Sequence, residues 1–496
     1  MYNLPTHTDP NKIFIVNRSK LEGRFDPIYY NSVSNLSIVK DTNYKVFKLG
    51  EIVIFQRGRF GHRPRNDPRF FNGNYPFIQT GNIVEASQHN GEVMFTQTLN
   101  ELGLGTSRLF EANTLVMTIA ANIGSTAIIN YKACFPDSLV ALIPKVDFIK
   151  IEYLNFYLRA IQKYVEKLAP QAAQKNINNQ QLRPLPIVVP PINIQQRIVD
   201  LYQSAYQQKQ QKEAEAQQLL NSIDAYLLGE LGITLPVKDN SLQNRIFTTS
   251  FSEITGSRFD PVPYEINTIN LKNAIKDVNK KKFVVLPLKQ FISQSVAGDW
   301  GIEVEEEYKE DEYTKCLVIR ATEFDNVYNL KLDNSRVKYR LIKNEKIKKI
   351  DLQPNDLLIE KSGGSIDQPV GRIALITKEI FESHTLAHSN FIHKIRVDQS
   401  KINPQFLFYF LKVIHNVKLT ETMQSQTNGI RNLIMQNYFN QNIILPKNET
   451  GEIDLQKQYE IARHIQYVRS HAKALQTDAK NILEQANKLV EQMILG

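Results

Sequence analysis

Cysteine is almost missing: among 496 residues only Cys134 and Cys316 occur, far apart and outside any Cys-x-x-Cys or Cys/His cluster. That speaks against a disulfide framework and a structural zinc, and predicts a metal-free chain in a reducing cytoplasm. Long apolar runs are missing too. No stretch approaches the ~18 consecutive apolar residues of a membrane span, and Met1-Tyr2-Asn3-Leu4-Pro5 lacks the basic-then-apolar order of a secretory leader. A soluble, unexported protein with no membrane partner is the expectation. The glycine-rich phosphate loop followed by Lys-Ser/Thr is absent, which removes a nucleotide-driven motor.

What is there is an ordinary globular composition, 42% hydrophobic and 22% charged, in a chain too long for one core. Sixty Lys+Arg against 51 Asp+Glu leave a formal charge of +9. Such an excess suits a polyanionic partner without demanding one.

The chain repeats itself. Ile13-Phe14, Ser19 and Gly23-Arg24-Phe25-Asp26-Pro27 return roughly 234 residues later as Ile246-Phe247, Ser252 and Gly256-Ser257-Arg258-Phe259-Asp260-Pro261. In the same order Val46 to Leu49 answers Val285 to Leu288, and Gly58 answers Gly298. Phe77-Ile78 with Thr80 to Ile83 answers Leu317 to Ile319 with Ala321 to Phe324. Asn113 to Val116 answers Asn355 to Leu358, and Tyr153 to Leu158 answers Phe406 to Leu411. Each copy closes on a polar loop, a strand ending in proline and a Gln-rich helix start. These are Gln174 to Ile177, Leu185 to Pro191 and Gln195-Gln196, then Thr427 to Arg431, Ile443 to Pro446 and Gln456 to Gln458.

Ile461, Ile465, Val468, Ala472, Leu475, Ala479, Ile482, Ala486, Leu489 and Met493 alternate spacings of four and three, the seam of a coiled coil. The helix after the first copy offers Ile198, Tyr202, Ala205, Ala216, Leu219, Ile223 and Tyr226, with Lys209 and Lys212 interrupting the stripe. At 1.5 Å per residue, helices of about 30 to 40 residues span roughly 45 to 60 Å. The predicted fold is α+β: two duplicated mixed α/β domains joined by long antiparallel coiled-coil helices, pseudo-twofold. The boundaries are 1–192, a spacer helix 193–235, 236–452 and a second spacer helix 453–496.

With these elements in this order the whole chain resembles the specificity subunit of a type I restriction-modification system. Its most typical stretch is Gln174-Lys175-Asn176-Ile177-Asn178 leading to Leu185-Pro186-Ile187-Val188-Val189-Pro190-Pro191 and the helix beyond. The resemblance implies two target-recognition domains, each reading half of a bipartite asymmetric DNA site, with the helices as a ruler. It further implies double-stranded DNA, two adenine methyltransferase subunits and restriction/translocase subunits as partners. S-adenosylmethionine, Mg and ATP would belong to those partners, leaving this chain without a cofactor and without catalysis.

Catalytic motifs are not found. The Asp-Pro-Pro-Tyr signature of an amino-methyltransferase is approached only by Asp260-Pro261-Val262-Pro263-Tyr264, which has an extra residue and lies in the repeated turn. Asp356 with Glu360-Lys361 imitates a magnesium-dependent nuclease but lacks its spacing. His384 and His388 lack the glutamate of a zinc protease.

Features common to both halves cannot distinguish two different half-sites, so divergent loops are the candidate readers. Arg24, Asp26, Arg258 and Asp260 are then scaffold. In the first copy the candidates are Arg57, Arg59, Arg63, Arg65 and Arg69, interleaved with Phe60, Phe70 and Phe71, together with His62. The polar turns add Gln79, Asn82, Asn122, Ser125, Gln174, Lys175 and Asn176. Arginine pairs with guanine and amides pair with adenine; a solvated basic loop is the other reading of the same residues. The second copy is acidic at the equivalent place, Glu303 to Glu312, which would repel phosphates. Its candidates are Arg320, Arg336, Lys338, Arg340, Lys361, Ser362, Arg372, Asn428 and Arg431. Two alternatives remain open: a reading subunit of a related methylation or defence assembly without the endonuclease, and a coiled-coil scaffold protein.

Overall fold

The computed structural model describes the chain apart from residues 1–12, 14, 19–41, 63–65, 90, 170–175, 255–260, 305–310, 326–328, 334–336, 365–367, 428–429 and 496. The Arg-Phe-Asp-Pro residues Arg24, Asp26, Arg258 and Asp260 lie outside the described residues. Two compact units emerge, one of 1–213 with 476–496 and one of 214–475. Helices Ile192–Glu230 and Leu455–Leu495 each contribute to both units, so the segments set apart as spacers belong structurally to each domain.

In the first unit a four-stranded antiparallel sheet takes the order Val53–Arg57, Leu139–Pro144, Thr114–Thr118, Thr126–Ile129. Val116, Leu142 and their neighbours are fully buried, as a sheet covered on both faces requires. Helix Ile151–Ala160 covers it, burying Tyr153 to Leu158. A second, irregular sheet is ordered Gln97–Leu99, Phe71–Phe77, Ala133–Cys134, Leu109–Phe110. Strand Lys45–Lys48 pairs antiparallel with Pro186–Val189, tying the start of the domain to its exit.

The second unit repeats this plan on its own residues. Its four-stranded sheet runs Ile292–Ala297, Ile392–Val397, Leu357–Glu360, Ile373–Leu375, covered by helix Pro404–Asn416. Phe283–Pro287 pairs with Asn442–Pro446 as the entry-to-exit tie. Three local devices recur. A Cβ at either Gly58 or Gly298 would collide with backbone carbonyls, those of Phe135 and Pro136 or of His388 and Ser389, so each position accepts only glycine. Asn113 and Asn355 both take the left-handed conformation before the same central strand, with φ of 60° and 73°, a geometry asparagine tolerates better than most residues. The third device is an amide. Buried Gln195 accepts from Lys150 N and donates to Phe148 O and Pro190 O, and buried Gln458 accepts from Asn403 N. The Gln-rich helix starts therefore fasten the covering helix of each domain to its long helix.

Within each unit the two long helices lie side by side and run antiparallel. In the first, Lys212 Nζ reaches Asp478 Oδ2 at 3.3 Å, and Ile198, Tyr202, Val490 and Ile494 share one core. In the second, Ala216 packs on Ala472 and Leu475, the tilted rings of Tyr226 and His464 lie 4.2 Å apart, and Lys457 meets Glu230 at 2.8 Å. Ile223, Ile461, Ile465 and Val468 are buried in that unit's core, with Leu219 against it, and Ile482 is half-buried. Leu489 corrects the seam: it is 47% exposed, and Val490 and Ile494 are buried instead. A straight helix drifts about 20° per heptad from a strict seven-residue repeat. At this end the helix also meets the domain core, where Thr42 Oγ1 donates to Ile494 O.

The second unit holds charges where the first holds Thr114, Thr118, Ala141 and Ile143. Buried Asp356 meets Arg396 at 2.8 Å and Lys394 at 3.5 Å, while buried Glu360 meets Arg372 at 2.8 Å. The nuclease-like string is thus made of carboxylates neutralised by internal cations. His388 sits fully buried on strand Leu386–His388, and neither ring nitrogen has a hydrogen-bond partner. Burial, then the nearby Lys394 and His393, push its pKa down from 6.5 to about 3. Between pH 6.5 and 3 the unfolded chain takes up a proton that the folded chain refuses, so stability falls as pH falls through that window. His388→Leu is expected to flatten the decline of the melting midpoint between pH 7 and pH 5 relative to wild type; parallel curves would refute this assignment.

Candidate nucleic-acid interface

In the first unit the basic loop separates into a packed part and an exposed part. Phe60, Phe77, Leu99 and Cys134 form a small core that Phe70 and Phe71 join, so these rings serve packing and not base stacking. The exposed Arg57 donates from Nε to Asp137 O at 2.6 Å. Arg59 is also exposed, its carbonyl held by Ser107 Oγ. Arg69 pairs with Asp67 at 2.6 Å while keeping 74% exposure; the hydrogen bonds from Arg69 hold the Asp67 carboxyl far below its usual range. His62 stacks on Phe70 at 4.0 Å. Arg63 and Arg65 lie outside the described residues.

The polar turns divide likewise. Asn82 Oδ1 accepts from Gln79 N at 2.8 Å and caps a turn, whereas the Gln79 side chain is exposed and donates to Gln97. Asn122 is exposed. Ser125 is a correction: it is buried, its Oγ accepting from Gln162 Nε2 inside the domain. Asn176 is exposed and forms a bridge with Ala120; Gln174 and Lys175 lie outside the described residues.

The second unit brings larger corrections. Arg340 is buried, 4.5 Å from the Trp300 ring centroid and paired with Glu303. Arg372 grips Glu360 with two bonds of 2.9 and 2.8 Å and donates to Phe324 O and Ala321 O. Ser362 is buried, its Oγ donating to Asn432 Oδ1 at 2.6 Å. All three are spoken for inside the fold, because their partners lie many residues away where sequence reading does not see them. Arg320 is half-buried and held by Glu323 at 2.7 Å. Lys338 is exposed, Lys361 and Arg431 half-buried. Arg336, Asn428 and residues 305–310 of the acidic stretch lie outside the described residues.

The backbone also corrects the pairing of the two polar loops. Ile177 N donates to Ile119 O at 3.0 Å, and Leu433 N donates to Lys361 O at 2.7 Å. Asn176 is therefore the counterpart of Asn432, which sequence reading passed over. The signal was present in the shared order cation, asparagine, aliphatic: Lys175-Asn176-Ile177 and Arg431-Asn432-Leu433. By the same logic Gln79, whose amide is fixed by the residue three further on, answers Arg320, whose amide is fixed by Glu323. Among the described residues there is no cluster of His, Cys, Asp and Glu arranged to hold a metal, and no helix long and apolar enough to cross a membrane.

Residues 41–221 match the family model for the type I restriction modification DNA specificity domain. Similar solved structures include a type I restriction-modification S subunit from M. genitalium, 13% identical over 91% of this chain and 96% of that one, with TM-score 0.43. Another is the HsdS subunit from Thermoanaerobacter tengcongensis, 12% identical over 91% and 95%, with TM-score 0.40. A third, from a structural study of assembly and conformational transition in the type I R-M system, is 11% identical over 91% and 96%, with TM-score 0.48.

Exposed and internal arginines predict different losses. Arg59→Ala and Arg69→Ala should each reduce the slope of log K against log salt for duplex DNA by about 1, without moving the melting midpoint. Arg372→Ala leaves Glu360 buried and unpaired, which costs about 3 to 5 kcal/mol. Salt titration and thermal melting check the two; a melting loss in Arg59→Ala or an unchanged midpoint in Arg372→Ala contradicts the assignment.

Proposed function

We propose, from the match of residues 41–221 to the family model for the type I restriction modification DNA specificity domain, that the chain is a two-part reader of duplex DNA. Each unit addresses one half of an asymmetric site, and the paired long helices set the number of base pairs between the halves. The observation that carries this reading is the duplication: the second unit repeats the sheet order, the Gly58/Gly298 contact and the buried glutamine of the unit that matches the family. A repeated scaffold with divergent exposed side chains is what reading two different half-sites needs.

On this reading the chain is not itself catalytic. Adenine methylation comes from methyltransferase subunits docked on it, two for a duplicated frame, and cleavage from restriction/translocase subunits. S-adenosylmethionine, Mg and ATP are bound by those partners. The cytoplasm is its compartment, where the DNA and the reduced thiols of Cys134 and Cys316 both belong. A coiled-coil scaffold that never reads sequence is disfavoured by the exposed arginines Arg57, Arg59 and Arg69 on one loop of the first unit.

Co-expression with the methyltransferase and mapping of methylated adenines tests the proposal: one bipartite motif is expected. Inserting one helical turn at matched positions of both long helices should lengthen the unread spacer and leave both half-site sequences unchanged. An unaltered spacer contradicts the ruler, and methylation without any two-part motif contradicts the reader.

A further inference from the structure

We infer that the second unit reads its half-site through a pocket of about 330 Å3 lined by Trp300, Arg320, Thr322, Ser362, Asn390 and Phe391. The inference rests on the two-part reader above and specifies which surface of the second unit meets base edges. It answers a problem of charge. The stretch that corresponds to the first unit's arginine loop carries Glu303, Glu305, Glu306, Glu307, Glu310, Asp311 and Glu312, and carboxylates of that density repel a phosphate backbone.

The pocket occupies the same corner of the fold as the exposed amide and arginines of the first unit. Gly58 N donates to Leu139 O and Gly298 N to Ile392 O, which places Asn390 and Phe391 where the first unit has Asp137 and Ser138. Trp300 follows its glycine by the same interval as Phe60, and Arg320 stands at the position of Gln79. Asp137 is the residue whose carbonyl receives the exposed Arg57. One backbone corner, built twice, thus carries Gln79, Asp137 and Ser138 in one unit and Arg320, Asn390 and Phe391 in the other. Identical placement with unlike chemistry is the pattern expected of residues that distinguish two half-sites.

The chemistry of the lining suits base edges. Phe391 is 52% exposed, an aromatic ring able to pack on a thymine methyl. Beside it stand an exposed amide, Asn390, matched to adenine, and a guanidinium, Arg320, matched to guanine. The walls are already fixed. Glu323 holds Arg320 at 2.7 Å, Ser362 is tied to Asn432, and Lys361 N donates to Phe391 O at 2.8 Å. A preorganised pocket loses little ordering entropy on binding. Lys361, just before strand Ser362–Gly363, and Arg431, on strand Ile430–Leu433, supply positive charge beside it.

The test uses the full complex of the chain with its methyltransferase. The wild-type methylated motif is mapped first; failure to find a two-part motif overturns the underlying reader and this inference together, before any variant is made. Binding is then measured for duplexes carrying single base-pair changes at each motif position, with Asn390→Ala, Phe391→Ala and, as a milder rim change, Thr322→Val. These side chains are exposed or at the rim, and melting curves confirm folding. Discrimination is expected to fall about tenfold at one or two positions of a single half-site, with the other half-site unchanged. Unchanged discrimination everywhere, an equal loss in both halves, or loss of the methyltransferase from the complex overturns the pocket's role.

Discussion

Two helices of 39 and 41 residues, Ile192–Glu230 and Leu455–Leu495, are each apolar along only one narrow stripe. Such helices are stabilised by packing far more than by propensity, and each stripe finds cover in its antiparallel neighbour and in the domain it adjoins. Small residues make the approach possible: Ala216 and Ala472 in the second unit, and Ala479 and Ala486 in the first, are all buried. Polar contacts then choose the register. Lys212 with Asp478, Tyr226 with His464 and Glu230 with Lys457 become progressively closer in sequence as the helices run past one another. Gln195 and Gln458 transmit that register to the domains by holding the first turn of each covering helix.

On this frame the two domains keep their backbone and change their chemistry. The sheet order, the obligate glycine and the left-handed asparagine recur, whereas the corner beyond the central strands exchanges Gln79, Asp137 and Ser138 for Arg320, Asn390 and Phe391. The interior diverges as well, since the buried Asp356, Lys394 and Arg396 network has Thr114, Ala141 and Ile143 at the equivalent strand positions. A buried network of that kind is stable only while every member is present.

Periodicity and repetition were legible from the residues alone, because a seam and a duplicated motif are patterns of composition along the chain. The long helices, their antiparallel pairing and the glutamine-marked helix starts follow from them. Side-chain availability was not legible. Arg340 and Arg372 read as free cations until folding brings Glu303 and Glu360 to them across 37 and 12 residues. Phe60 reads as an interleaved aromatic until Phe77 and Leu99 enclose it. Leu489 leaves the seam for a geometric reason, the drift of a 3.6-residue helix from a 3.5-residue stripe, and Asn432 is matched to Asn176 only once the backbone bonds of Ile177 and Leu433 set the register of the two loops.

The antiparallel pairing is tested most directly by joining the helices covalently. With Lys212→Cys and Asp478→Cys introduced at a pair that faces across the two helices and stays open to solvent, and the buried Cys134 and Cys316 replaced by alanine, a short bis-maleimide should produce an intrachain bridge at monomer mass. Tryptic mapping should locate it between the two long helices. A chain that cross-links only into a species of twice the mass, or not at all while still folded, would contradict the account.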